Sequence, residues 1–198
     1  MKIKYVLIIG FICLNYTICL SQNSKQYHDV FVIVLDIQQQ SNTNKQLDSS
    51  AIELTQTVNS LINNFVPENV IYIKNTKKLL SLSFKGILVD TIPVRDLDSN
   101  LIIVSNNIFT KYSGDAFTSS ELNNFLESNN AKKIIIVGRI AEECLYQTAI
   151  GGKDKGYDIY IIPEAIIGKT EKKKEKAIKK MTKKEIKFLA IKEIISAA

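Results

Sequence analysis

The sequence predicts an α/β protein of three layers: a mainly parallel, Rossmann-like central sheet of about six strands with helices on both faces. Three observations predict it. Short continuous runs of β-branched and other apolar residues have the pattern of strands buried on both faces. Segments of helical apolar spacing alternate with these runs. The chain of 198 residues is 45% hydrophobic and 23% charged, with eight glycines and three prolines, which suits one globular domain and leaves no room for a long linker. No period of 20–50 residues recurs, which excludes a solenoid.

The elements follow in order. Asp29–Leu35 (DVFVIVL) reads as a buried strand closed by Asp36-Ile37-Gln38. Ser50 and Glu53 form a capping box opening a helix, with Ala51, Leu54, Val58, Leu61, Ile62 and Phe65 at helical spacing and Pro67 as its stop. Asn69–Lys74 is a second strand, and Lys77–Thr91 fits no single pattern. Leu101–Val104 reads as a short third strand, and Thr118 to Glu121 as a second capping box before Leu122, Phe125 and Leu126. Lys132–Val137 is the cleanest buried strand, ended by Gly138. Ala141–Ile150 is helical in spacing and stops at Gly151-Gly152. A strand at Tyr157–Ile162, a lysine-rich helix at Glu171–Met181, a strand at Ile186–Ile191 and a final turn at Lys192–Ser196 complete the chain.

The N-terminus has the order of a secretory signal: Lys2 and Lys4, an uncharged apolar run from Tyr5 to Leu20, then small and polar residues. Cleavage is expected after Ser21, which makes 1–21 a signal peptide, 22–28 a short leader and 29–198 the domain of an exported protein. An uncleaved anchor is the competing reading, but the run is short against the roughly 20 residues a membrane helix needs. A lipidated Cys19 is a third reading, disfavoured by the bulk of Ile18. Cleavage would leave Cys144 as the sole cysteine and exclude an internal disulfide. A buried inert thiol, an intermolecular bridge and a reactive thiol all remain open.

The formal charge of +6 sits in one place. Residues 169–187 hold ten lysines and three glutamates. With one neighbouring aromatic, Phe188, the stretch reads as a solvated helix and not as a nucleic-acid face. No nucleic acid and no stable membrane insertion are expected, and a homo-oligomer is left open.

In a parallel sheet, ligands lie beyond the carboxyl ends of the strands. Asp36, Lys111 and Cys144 all fall at such ends. Asp36 alone is a common turn residue, and Lys111 alone a common surface residue. Cys144 lies near the first turn of a helix, where the macrodipole favours a thiolate. Glu142 and Glu143 oppose that, and Lys111 is the cation available to reverse it. An acid, a lysine and a cysteine on one edge make a nucleophilic constellation.

The order of these motifs resembles the isochorismatase-like cysteine hydrolases, the superfamily of nicotinamidases and N-carbamoyl amidohydrolases. VIVLDIQ supplies Asp36 and Gln38; KYSGDAF supplies Lys111; IIIVGRIAEECLYQTA supplies Gly138, Cys144, Thr148 and Ala149; GYDIYIIPEAI supplies Tyr157, Glu164 and Ala165. The resemblance runs from Asp29 to about Ile195. It implies an Asp36–Lys111–Cys144 triad and a cis peptide between Arg139 and Ile140. It also implies an oxyanion site made by the backbone N–H groups of Ile140 and Cys144. Gln38, Arg139 and Tyr112 are candidates for the substrate pocket. Nicotinamidases carry a metal site of an aspartate and several histidines. The single histidine here, His28, precedes the first strand, so no metal and no cofactor is expected. QQQSNTNKQ after Asp36, the short stretch between Lys74 and Lys111, Arg139 and the Glu142-Glu143 pair depart from the family pattern. The resemblance implies hydrolysis of a carbon–nitrogen bond in a small molecule. Vinyl-ether hydrolysis, which needs no thiol, and a binding module without activity are the alternatives.

Overall fold

A computed structural model describes residues 27, 29–39, 45–76, 78–83, 86–91 and 93–195, with the backbone alone for 45–48 and 78–91. The expectations for 1–21, for the leader apart from Tyr27, and for His28 lie outside these residues. No helix among the described residues is long and apolar enough to cross a membrane.

Strand β1 (Val30–Leu35) is buried along nearly its whole length, as its unbroken apolar run requires. It pairs in parallel with β2 (Val70–Asn75) on one side and β6 (Lys133–Arg139) on the other. Beyond β2 lies β5 (Ile108–Lys111); beyond β6 lie β7 (Asp158–Ile167) and β8 (Lys187–Phe188). All these pairings are parallel, giving the six-stranded order β5-β2-β1-β6-β7-β8. The direction of strand addition reverses between β1 and β6, which places a crevice at their carboxyl ends.

Side chains alternate across the sheet into two cores. Ile33, Leu35, Ile134 and Ile136 pack under α2 (Ser120–Ser128), α3 (Tyr146–Asp154) and α4 (Glu171–Lys183). Val32, Val34, Ile135 and Val137 pack under α1 (Lys45–Ile62) and α5 (Ile191–Ile195). The three layers are those expected. Helix α4 buries Ala177 and Met181 and turns most of its lysines to solvent.

Several boundaries differ from the sequence reading. Leu101–Val104 is not a strand: Leu101 is buried, but Ile102 and Ile103 are exposed, and the edge strand forms instead at Ile108–Lys111. Helix α1 begins at Lys45, so Ser50 and Glu53 lie inside it and form no capping box. It ends at Ile62, before Pro67, which instead opens a 3-10 turn. Helix α2 is capped one residue later than expected, by the Ser119 hydroxyl accepting from Leu122 N–H. Helix α3 runs through Gly151 and Gly152 to Asp154, and both positions are glycine where neighbouring side chains leave no space for a Cβ. Strand β7 continues past Ile162 through a bulge that accommodates Pro163. Strand β8 is two residues long. The stretch without a clear pattern forms an antiparallel hairpin, β3 (Lys78–Ser83) and β4 (Gly86–Thr91), apart from the main sheet.

Gly138 does not end its strand. It lies within β6 at φ +120°, and a Cβ there would meet the Leu35 carbonyl oxygen at 2.1 Å. Gly138→Ala is therefore expected to cost about 2–4 kcal/mol, combining backbone strain with a clash against fixed backbone. Urea unfolding of the two proteins measures it.

Candidate active site

Three strand ends build the site. After β1 the chain turns at Asp36, which adopts φ +58° while its N–H still donates to Ile73 O (3.0 Å). Aspartate is among the few side chains that tolerate this left-handed conformation. Lys111 closes β5, two strands away. Its side chain is wholly buried, and Nζ lies 3.0 Å from Asp36 Oδ2. Nζ also donates to Ser113 O at 3.1 Å. Cys144 follows β6, after the cis Arg139–Ile140 peptide that the resemblance implied. It sits in a wide turn over Ala141–Leu145, where Ile140 O accepts from both Glu143 N–H (3.0 Å) and Leu145 N–H (3.2 Å). Glu143, just before it, leaves helical geometry at φ −120°, ψ −106°.

Asp36, Ile140 and Cys144 line one cavity of about 380 Å³, with Lys111 buried behind Asp36. Burial pushes the Asp36 carboxyl up; Lys111, Cys144 and Arg139 pull it back only in part. Burial and then the Asp36 charge push the Cys144 thiol up, and Lys111 opposes them. The cation opposes these effects only in part, so the thiol stands above its ordinary value, against the lowering that the helix position alone favours. Asp36 Oδ1 is buried without a hydrogen-bond partner, and Cys144 is among the groups that act on this carboxylate. A buried carboxylate oxygen without a partner, in the cavity that Cys144 also lines, is able to accept a proton.

The acidic pair does not act on the thiol as its sequence position suggested. Glu143 is ion-paired to Lys169, and Glu142 accepts from Lys169 N–H at 3.1 Å. Lys169 draws both carboxylates toward the start of α4. Gln38 lines the cavity but spends its amide on backbone: Oε1 accepts from Asn75 N–H (2.7 Å), and Nε2 donates to Arg95 O (2.7 Å). It thereby stitches the end of β1 to residues 93–98. Arg139 also lines the cavity. Its Nε donates to Asp36 O at 2.8 Å and its Nη2 to Gln38 O. Tyr112 is half exposed and is not among the described lining residues, because its neighbour Lys111 takes the inward direction of β5. Thr148 packs behind the site, its Oγ1 accepting from Ala116 N–H at 3.1 Å. Sequence reasoning missed Arg95, Asn75 and Pro93 as cavity walls. Arg95 had a signal, since Arg95 and Arg139 are the chain's only arginines.

Among the described residues no three His, Cys, Asp or Glu side chains come together as a metal site. The donor set does not fit a histidine-rich centre.

A sequence model of the isochorismatase domain matches residues 30–193. A secreted isochorismatase effector of Verticillium dahliae is 32% identical over 59 residues, 30% of this chain and 31% of that protein. The chain thus matches about a third of that relative's length. An isochorismatase-like hydrolase from Alkaliphilus metalliredigens superposes with TM-score 0.69 at 12% identity, over 86% of this chain and 98% of that one. A cysteine hydrolase from Pseudomonas syringae gives 0.68 at 16% identity, over 85% and 92%. The pyrazinamidase of Pyrococcus horikoshii, solved in complex with zinc, gives 0.60 at 19% identity, over 82% and 99%. The domain match spans the whole sheet and its three strand ends, and on that ground the chain belongs to the isochorismatase family.

Proposed function

We propose that the protein is an exported cysteine hydrolase that cleaves a carbon–nitrogen bond in a small amide. The observation that carries this is Asp36 beside Cys144 in one cavity, with Lys111 buried at 3.0 Å from the carboxylate. Asp36 takes the thiol proton at Oδ1, and Lys111 holds the negative charge that then passes between carboxylate and sulfur. The thiolate attacks the amide carbon, forming a carbon–sulfur bond and placing charge on the carbonyl oxygen. The backbone N–H groups of Ile140 and Cys144 receive that oxyanion. Asp36 returns the proton to the leaving nitrogen as the carbon–nitrogen bond breaks. Water, deprotonated by Asp36, then cleaves the thioester and restores the thiol.

A second reading is vinyl-ether hydrolysis. It draws on the burial that pushes the Asp36 carboxyl up and so favours its acid form, and on the name of the Verticillium relative. It would need Asp36 and not Cys144.

Ammonia release from a panel of small amides tests the first reading, together with an acyl adduct on Cys144 in the intact mass. No step needs a metal, so EDTA is expected to leave the rate unchanged. Loss of activity restored by a divalent ion would overturn metal independence. Export with cleavage after Ser21 would give a periplasmic or secreted protein whose intact mass corresponds to a chain beginning at Gln22.

A further inference from the structure

The chain has 24 lysines and two arginines, and both arginines line the cavity that holds Cys144. Lysine serves everywhere else that this protein needs a cation. What arginine adds is a planar fork of N–H donors that engages a carboxylate or phosphate with two parallel hydrogen bonds. Arg139 uses one side of its fork on the carbonyls of Asp36 and Gln38, which fixes the plane of the guanidinium. Arg95 is exposed at the cavity wall, its own carbonyl held by Gln38. Neither guanidinium is ion-paired among the described residues. The two carboxylates lining the cavity are already matched, Asp36 with Lys111 and Glu143 with Lys169. Asp98 and then Asp36 contribute favourable charges to Arg139 from nearby, and Arg95 an unfavourable one. Two like charges on one cavity, each with donors to spare, are relieved by an anion placed between them.

We infer that Arg95 and Arg139 bind an acidic group of the substrate, so that the bond broken at Cys144 belongs to a small acyl compound carrying a carboxylate. The assignment rests on the hydrolase reading of the same cavity and names its substrate class. A neutral amide would leave both forks unpaired and would bind weakly.

Two alkylating reagents of one shape test it. Iodoacetate and iodoacetamide each form a carbon–sulfur bond to Cys144 as the sulfur displaces iodide, and differ only in a carboxylate against an amide. Simple thiols react faster with the neutral reagent. Here iodoacetate is expected to be faster, and Arg95→Gln should lower the iodoacetate-to-iodoacetamide rate ratio about tenfold, the effect of one lost charged contact. A ratio below one in the wild type, or one unmoved by Arg95→Gln, would overturn the assignment while leaving a reactive thiol. A binding measurement stands apart from thiol chemistry. Malonate at saturating concentration should raise the melting temperature by about 3 °C or more, malonamide should not, and Arg95→Gln should lose the shift. A thiol inert to both reagents, in a protein that malonate still stabilises, would keep the anion site and remove the hydrolase reading. No malonate shift would remove the anion site itself.

Discussion

Cys144→Ala is expected to lower turnover by at least about 10⁴-fold, because the described chain offers no other thiol to form the acyl intermediate. Folding should survive, since the side chain is only partly buried and packs at the edge of the core. Cys144→Ser should be nearly as poor, as a hydroxyl is far harder to deprotonate than a thiol of ordinary pKa about 8.5. Asp36→Asn separates base from nucleophile. The amide cannot take the proton, so turnover should fall comparably. Yet the thiol should become more acidic, because the Asp36 charge is the chief group, after burial, holding it up. Activity and thiol acidity moving in opposite directions is a signature that a merely structural aspartate would not give. Ammonia release and a thiol-labelling pH profile on the same samples read both. Turnover that survives Cys144→Ala but not Asp36→Asn would select the vinyl-ether reading.

Lys111→Met should be the most destabilising of the site substitutions. Removing one partner of a buried ion pair leaves the other charge uncompensated, at a cost of about 3–5 kcal/mol. The loss should depend on pH, with a definite sign. Asp36 has a folded-state pKa above its unfolded value, so its protonation stabilises the fold in acid. That contribution is full below the unfolded pKa of about 3.9 and is lost as pH rises through the folded value. Without Lys111 the folded value rises further, so the variant goes on losing stability to a higher pH than the wild type. The deficit should be small in acid and grow toward neutrality. Urea unfolding across this range measures it, and a deficit that ignores pH would assign Lys111 a packing role alone.

The parallel sheet was legible because β1, β2 and β6 are unbroken apolar runs, and no other element fits such runs at that length. Asp36, Lys111 and Cys144 were legible because each ends a strand in a motif whose order resembles a known family. The mistaken strand at Leu101–Val104 shows the limit. Its apolar residues are locally indistinguishable from those of β5, and only pairing with β2 decides which segment joins the sheet. Ser50 looked like a cap because its hydroxyl and Glu53 have the right spacing, but tertiary packing of α1 extends the helix past them. The electrostatic outcome at Cys144 was not legible either. Sequence places Glu142 and Glu143 beside the thiol, while the fold hands them to Lys169, 26 residues from Glu143.

The strand order β5-β2-β1-β6-β7-β8 has a consequence in time. Every pairing in this sheet is parallel, so even successive strands meet only through a crossover connection, and β1 must find β6 across about a hundred residues before the central ladder exists. Chains dominated by such distant pairings pass through a high entropic barrier and fold slowly, whatever their final stability. Among the described residues the one hairpin, β3–β4, is local, but it stands apart from the sheet. A polypeptide proposed to cross a membrane in extended form is served by that delay. The interval between synthesis and a closed β1–β6 ladder is the interval in which it remains threadable, and the catalytic edge assembles only when the ladder does.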